Sequence, residues 1–180
     1  MRPVSGPSQD EKRDAPQSVL IDISVEAGDW QPEMGLRKVC EQAVMAALGM
    51  GLTVLPGSEL SIVFTDDAAI RDLNHRWREK DAATNVLSFP GSGPAGTDFG
   101  PLLGDIVLAQ ETVAREAEEL GIEFQAHLSH LIVHGLLHLF EYDHQTDADA
   151  QQMEDLERRI MAKLGLNDPY GDRSLAADAG

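Results

Sequence analysis

The sequence predicts a mixed α/β fold of the α+β kind, a small sheet of about four strands packed with about five helices. Three observations predict it. Short β-branched runs alternate in polarity, longer segments repeat apolar residues every three or four positions, and Gly or Pro separates the two kinds. At 180 residues the chain suits one compact domain. Apolar residues at 42% and charged residues at 25% exclude wholesale disorder. No run approaches the ~20 apolar residues of a membrane span, so no membrane partner is expected. A formal charge of −17 excludes a broadly basic, non-specific coat for nucleic acid, so any such partner must be met by a local patch or a metal. The single Cys40 leaves no intrachain disulfide, and the polar N-terminus has no signal-peptide core; both fit a reducing cytoplasm.

Residues 1–17 are polar and Pro-rich and read as a disordered leader. A folded domain is expected over 18–166, followed by a flexible tail over 167–180. Val19 to Val25 is β-branched and alternating, hence a strand. Leu36, Val39, Cys40, Ala43, Val44, Ala47 and Leu48 keep helical period until Gly49, which places Cys40 in the core rather than as a nucleophile. Leu60–Thr65 reads as the second strand, after which Asp66 or Asp67 caps a helix carrying Ile70, Leu73 and Trp77. Trp77, at helical spacing from Leu73, is expected in the core. Asn85–Phe89 and Leu103–Leu108 are further strands, joined by a Gly- and Pro-dense segment from Pro90 to Pro101 that suits a flap. Three helices close the chain: Gln110–Leu120, Phe124 to about Phe140, and Asp149–Leu164.

Of the 6 histidines, His134 and His138 are four apart on one helical face, within reach of one ion. His144 follows six residues later, after a segment in which the helix can end and turn back. Three protein ligands would leave a fourth position for water, as in a catalytic zinc site, here at a helix C-terminus. The ordinary alternative is a pair of hydrogen-bonded core histidines. Asp143 beside the last of them either fixes an imidazole tautomer or caps the turn. His130 shares the stripe and reads as a packing or hydrogen-bonding neighbour, not a ligand. The spacing is also that of metzincin peptidases, but those need Glu directly after the first His, and this chain has Gly135.

The run His134-Gly-Leu-Leu-His-Leu-Phe-Glu-Tyr-Asp-His144 resembles the H-G-x-L-H-L-x-G-Y-D-H signature of the YbeY family of metal-dependent endoribonucleases. A second block, Leu73-Asn74 through Trp77-Arg78 and Asp81 to Thr84-Asn-Val-Leu-Ser-Phe-Pro90, resembles that family's other hallmark, and Leu103-Gly-Asp-Ile106 its following strand. The resemblance covers about Val19 to Leu164. One position departs: Glu141 stands where the family has Gly. A turn needing positive φ there would cost Glu on the order of 1 kcal/mol, unless the backbone takes another path.

By position, the resemblance implies His134, His138 and His144 as ligands of one zinc per chain and Arg78 as the catalytic arginine, whose guanidinium forks onto a phosphate. His₃ sites also take nickel, copper and cobalt. Without the resemblance, Arg78 would read as a surface partner of Asp81 or Glu79. Arg71, Arg76, Arg78 and Lys80 form the best local cationic patch, and Trp77 has a lesser reading as a stacking surface for a base. The implied function is single-strand-specific endoribonuclease action in 16S rRNA 3′-end maturation and ribosome quality control. The implied partners are ribosomal RNA, the small subunit and a ribosomal protein that supplies the affinity an acidic surface lacks. Two other classes compete: a zinc hydrolase of peptides or small amides, and a non-catalytic ribosome-assembly factor.

Overall fold

Among the residues that the structure describes, four strands and five helices form where the apolar pattern changes period. The structure, a computed structural model, describes residues 19–91, 100–142 and 146–170. The elements are β1 (Val19–Val25), α1 (Glu33–Leu48), β2 (Ser58–Thr65), α2 (Asp67–Arg78), β3 (Val86–Pro90), β4 (Leu102–Ala109), α3 (Gln110–Leu120), α4 (Phe124–Leu139) and α5 (Asp147–Lys163). The leader expected over 1–17 and most of the expected flap lie outside the described residues. Among the described residues, no helix is long and apolar enough to cross a membrane.

The sheet order is β1-β2-β4-β3, with β1, β2 and β4 parallel and β3 antiparallel to β4 at the edge. Alternation sorts its two faces. Leu60, Ile62, Phe64, Ile106 and Leu108 join the apolar stripes of α1, α4 and α5 in the main core. Val63, Val107, Leu87 and Phe89 face the other way and pack with Ile70 and Leu73 of α2 in a smaller one. Cys40 is fully buried in the main core, and burial pushes its thiol up to about 12, which leaves it unreactive at neutral pH.

Trp77 does not follow Leu73 into the second core; it is 69% exposed. On α2 that core ends with Ile70 and Leu73, and β3 is the edge of the sheet, so the last helical turn finds no surface to cover the indole.

The helix starts are cross-linked by hydrogen bonds. Asp66 caps α2 by accepting from Ala69 N at 2.9 Å. Asp67 instead reaches across to α3, accepting from Thr112 N at 3.2 Å and Thr112 Oγ1 at 2.6 Å. Glu111 of α3 answers by accepting from Asp67 N at 3.3 Å. Each helix thus satisfies an orphan N–H of the other. A second polar junction joins Asn85, α3 and α4. Asn85 Nδ2 donates to Glu116 at 2.9 Å, and the same carboxylate meets His127 Nε2 at 3.0 Å.

Among the close approaches made at glycines, two bear on the site. Gly104 has φ +136, and a Cβ there would fall 2.3 Å from Phe89 O, where β3 pairs with β4. At Gly135, mid-α4, a Cβ would meet Ser88 Oγ at 3.0 Å, Ile106 Cγ2 at 3.1 Å and Val86 Cγ2 at 3.3 Å. Ser88 Oγ donates to Gly135 O at 3.0 Å, pinning α4 to β3.

Gly135→Ala is therefore expected to lower stability by about 1 kcal/mol, because overpacking outweighs the gain in helix propensity. Gly35→Ala in α1 should do the reverse and stabilise by about 0.5–1 kcal/mol, since only the flexible end of Gln31 stands in its way. Urea melts of the two variants check the pair; the same sign for both would contradict the packing argument.

Candidate metal centre

The apolar character of α4 makes it the central helix, and its histidines are forced onto one stripe by three- and four-residue spacing. His127, His130, His134 and His138 form a ladder with successive ring centroids 6.3, 6.2 and 4.6 Å apart. His127 and His130 are buried, whereas His134 and His138 are half-buried toward the helix C-terminus. The Nε2 atoms of His134 and His138 face each other at 3.0 Å. Two imidazole nitrogens converging in this way from half-buried side chains have the donor chemistry of a transition-metal site.

Glu157 of α5 backs this pair. It has no solvent exposure, and its Oε1 lies 2.5 Å from His134 Nδ1 while its Oε2 lies 2.9 Å from His130 Nε2. Burial alone would raise the carboxyl, but the hydrogen bonds from His130 and His134 outweigh it and hold the group below the usual carboxylate range. The Tyr170 hydroxyl also donates to Glu157 Oε2. Its ring stands edge-on to His130 at 5.6 Å and under the Arg158 guanidinium at 5.4 Å. Arg158 in turn bonds Asp155 at 2.8 Å and Asp168 at 3.3 Å. So 167–170, expected as the start of a flexible tail, holds two side chains that contact α5; residues from 171 on lie outside the described residues.

Ligand atoms of His130, His134 and Glu157 all lie within 4.8 Å of one another, and this cluster could hold a metal ion. Its distances differ from those of the His134–His138 pair. Two donors on one tetrahedral ion, each roughly 2.0–2.2 Å from it, stand roughly 3.3 Å apart. The facing Nε2 atoms need only a small opening to reach that spacing. The 2.5 Å between Glu157 Oε1 and His134 Nδ1 is a hydrogen-bond contact.

Asp143 and His144, the other two residues that the sequence placed here, lie outside the described residues. The turn leading to them is described. Tyr142 N donates to Leu137 O and Glu141 N to His138 O, both at 3.0 Å, and Glu141 adopts φ 67. This is a Schellman ending with Glu in the left-handed position that favours Gly. The turn keeps the path that a glycine would take, and Glu141 bears the strain.

Arg78 is the last residue of α2. Its Nη2 donates to Ser88 O at 2.8 Å and its guanidinium lies 5.8 Å from the Phe89 ring centre. Ser88 is the residue whose hydroxyl bonds Gly135 O, next to His134, so one strand residue ties both Arg78 and the histidine helix. The neighbouring cations differ. Arg71 is paired with Asp81 at 2.7 Å and Arg76 with Asp72 at 2.5 Å, so the expected four-residue patch is partly neutralised. Arg78 and Lys80 have no carboxylate partner among the described residues.

Sequence reasoning missed Glu157 and Tyr170. The available signal was a carboxylate on an apolar stripe, since Glu157 shares its face of α5 with Met153, Ile160 and Met161. Tyr170 gave none.

A family model described as Endoribonuclease YbeY matches residues 24–165. Three proteins named Endoribonuclease YbeY are similar across most of their length. That of Rhizobium meliloti (strain 1021) is 56% identical over 160 residues, covering 85% of this chain and 95% of its own. That of Agrobacterium fabrum is 52% identical over 159 residues, covering 83% and 94%. That of Methylocella silvestris is 46% identical over 162 residues, covering 89% and 91%. The solution structure of TM1509 from Thermotoga maritima superposes with a TM-score of 0.52 at 20% identity, covering 89% of this chain and 99% of that one, a likeness of fold.

Replacing Glu141 by Gly should relieve the left-handed strain and raise stability by about 0.5–1 kcal/mol after the entropy of the unfolded glycine is counted. Denaturant melts of metal-free protein check this, and an unchanged or lower midpoint would contradict the strain.

Proposed function

Because the chain belongs to the YbeY endoribonuclease family, we propose that it is a zinc-dependent, single-strand-specific endoribonuclease acting in 16S rRNA 3′-end maturation and ribosome quality control in the cytoplasm. The observation that carries the reading is the convergence of His134 Nε2 and His138 Nε2 beside a strand that also holds Arg78. His134 and His138 would hold the ion, with His144 as third ligand by its place in the family motif. A zinc ion held there would supply a Lewis acid for a phosphoryl oxygen.

Arg78 has one of its five N–H donors engaged by Ser88 O, which fixes the guanidinium plane and leaves the remaining donors for phosphate oxygens. Its charge meets the negative charge that grows on the phosphorus oxygens during attack. A lysine has no such fork and cannot be oriented by one carbonyl in the same way. Trp77, exposed beside Arg78 in the chain, offers a π-face to an unpaired base, and Lys80 adds a cation without a carboxylate partner among the described residues. Against a net charge of −17, these few groups support only weak grip on free RNA. The ribosomal small subunit, through a ribosomal protein, would then deliver the substrate. The peptidase reading loses further ground at Gly135, where the general base of that class would have no room beside Ser88, Ile106 and Val86.

Cleavage of a single-stranded RNA matching the 16S 3′ end, by zinc-loaded protein, tests the reading. Arg78→Ala should reduce kcat by about 10²–10³-fold, with Arg78→Lys between it and wild type. Chelator should abolish cleavage and zinc restore it. Undiminished cleavage after chelation would sink the metal's role, and a fully active Arg78→Ala would sink that of the arginine. Vigorous cleavage of arbitrary RNA at physiological salt would contradict partner-dependent delivery.

For Trp77→Ala, KM on the same RNA should rise about tenfold with kcat nearly unchanged, while Trp77→Phe stays near wild type. A KM that does not move would leave the indole no part in binding.

A further inference from the structure

We propose that Glu157, held by Tyr170 and His130, is a positioning residue that fixes His134 as a metal ligand without binding the ion itself, so that metal affinity is set partly by the segment after α5. The proposal rests on the reading that His134 and His138 hold the ion.

A carboxylate with no solvent exposure must have its oxygens satisfied, and Glu157 achieves this with two donors from α4 and one from the segment after α5. Oε1 accepts a hydrogen bond from His134 Nδ1 at 2.5 Å, and Oε2 accepts from His130 Nε2 at 2.9 Å and from the Tyr170 hydroxyl. The ionised carboxylate only accepts, so each contact assigns a proton to its partner. For His134 the assignment matters. With the proton held on Nδ1, Nε2 carries the lone pair, and Nε2 is the atom that faces His138. The same bond locks the ring plane and raises the basicity of Nε2.

A direct-ligand role for Glu157 fits the distances less well. Its oxygen stands hydrogen-bond close to His134 Nδ1, too near for both to share one ion, and its other oxygen already serves two donors. Tyr170 makes the arrangement depend on the end of the domain. Its hydroxyl shares Oε2 with His130, its ring packs edge-on against the His130 imidazole, and Arg158 clamps the segment through Asp168. Without the phenol, one acceptor site on a buried charge would lose its donor and the carboxylate would be freer to turn away from His134.

The test compares wild type, Glu157→Gln, Tyr170→Phe and His138→Ala for zinc affinity by competition with a chromophoric chelator. The d–d absorption of the cobalt(II)-loaded proteins and the thermal midpoint of each metal-free protein complete it. Glu157→Gln should bind zinc about 10–100-fold more weakly, with Tyr170→Phe losing less in the same direction. Both should shift the cobalt spectrum while keeping four-coordinate intensity. His138→Ala should lose tight binding altogether. A His138→Ala protein that keeps its metal, with Glu157→Gln losing it completely, would place the ion on Glu157 and overturn the proposal. Wild-type affinity and spectrum in both Glu157→Gln and Tyr170→Phe would overturn it equally. Should Glu157→Gln fail to fold without metal, Tyr170→Phe decides alone: weaker zinc binding at an unchanged metal-free midpoint supports positioning, and unchanged binding refutes it. These readouts need no RNA, so a zinc-loaded wild type that cleaves nothing would bear on the nuclease reading alone.

Discussion

At Gly135 the backbone of α4 lies close against Ser88, Val86 and Ile106, where a Cβ would be pressed to 3.0–3.3 Å from their side chains, and the Ser88 hydroxyl bonds the Gly135 carbonyl. This contact sets the distance between the histidine helix and the sheet. One residue earlier stands His134; the carbonyl of the same serine holds Arg78. A helix pushed outward by a single methyl would shift the histidines relative to an arginine that stays with the strand. The absence of a side chain at one position is thus what registers two chemical groups that lie more than fifty residues apart in the chain.

The other constraint is charge. An acidic protein has many carboxylates to spend on solubility, yet two of them serve the inner ladder of histidines. Glu116 meets His127 and Glu157 meets His130 and His134. Burying Glu157 among apolar neighbours is costly unless every oxygen is paired. The three donors around it therefore have to arrive together, and they come from α4 and from the chain beyond α5. A fully satisfied network of this kind stiffens its members, whereas a partly satisfied one is worse than an apolar core.

Much of this was legible in the residues. The periods of α1, α3 and α4 and the alternation of β2 and β4 named their own elements, because each buries one face against the sheet. Asp66, one of two candidate caps, is the cap of α2; Asp67 turned out to serve α3, a partner forty-five residues away that no local rule contains. Glu141 was visible as a departure, and its positive φ follows from the turn that the two histidines bracket. Trp77 was misplaced because helical period says which residues share a face, not how far the sheet beneath them extends. Glu157 was overlooked in a strongly charged helix, although its place on the apolar stripe marked it as buried. Tyr170 depends on a chain reversal after α5, and reversals of that kind are decided by tertiary contacts alone.

Chain order gives the carboxylate clamp one more meaning. Synthesis runs from the N-terminus, and Glu157 and Tyr170 follow every histidine of α4. In the folded structure the contact that holds the proton on His134 Nδ1 comes from α5, a part of the chain made after the helix that carries the imidazole. A chain cut before α5 would therefore keep every histidine of α4 and lose the carboxylate that orients two of them.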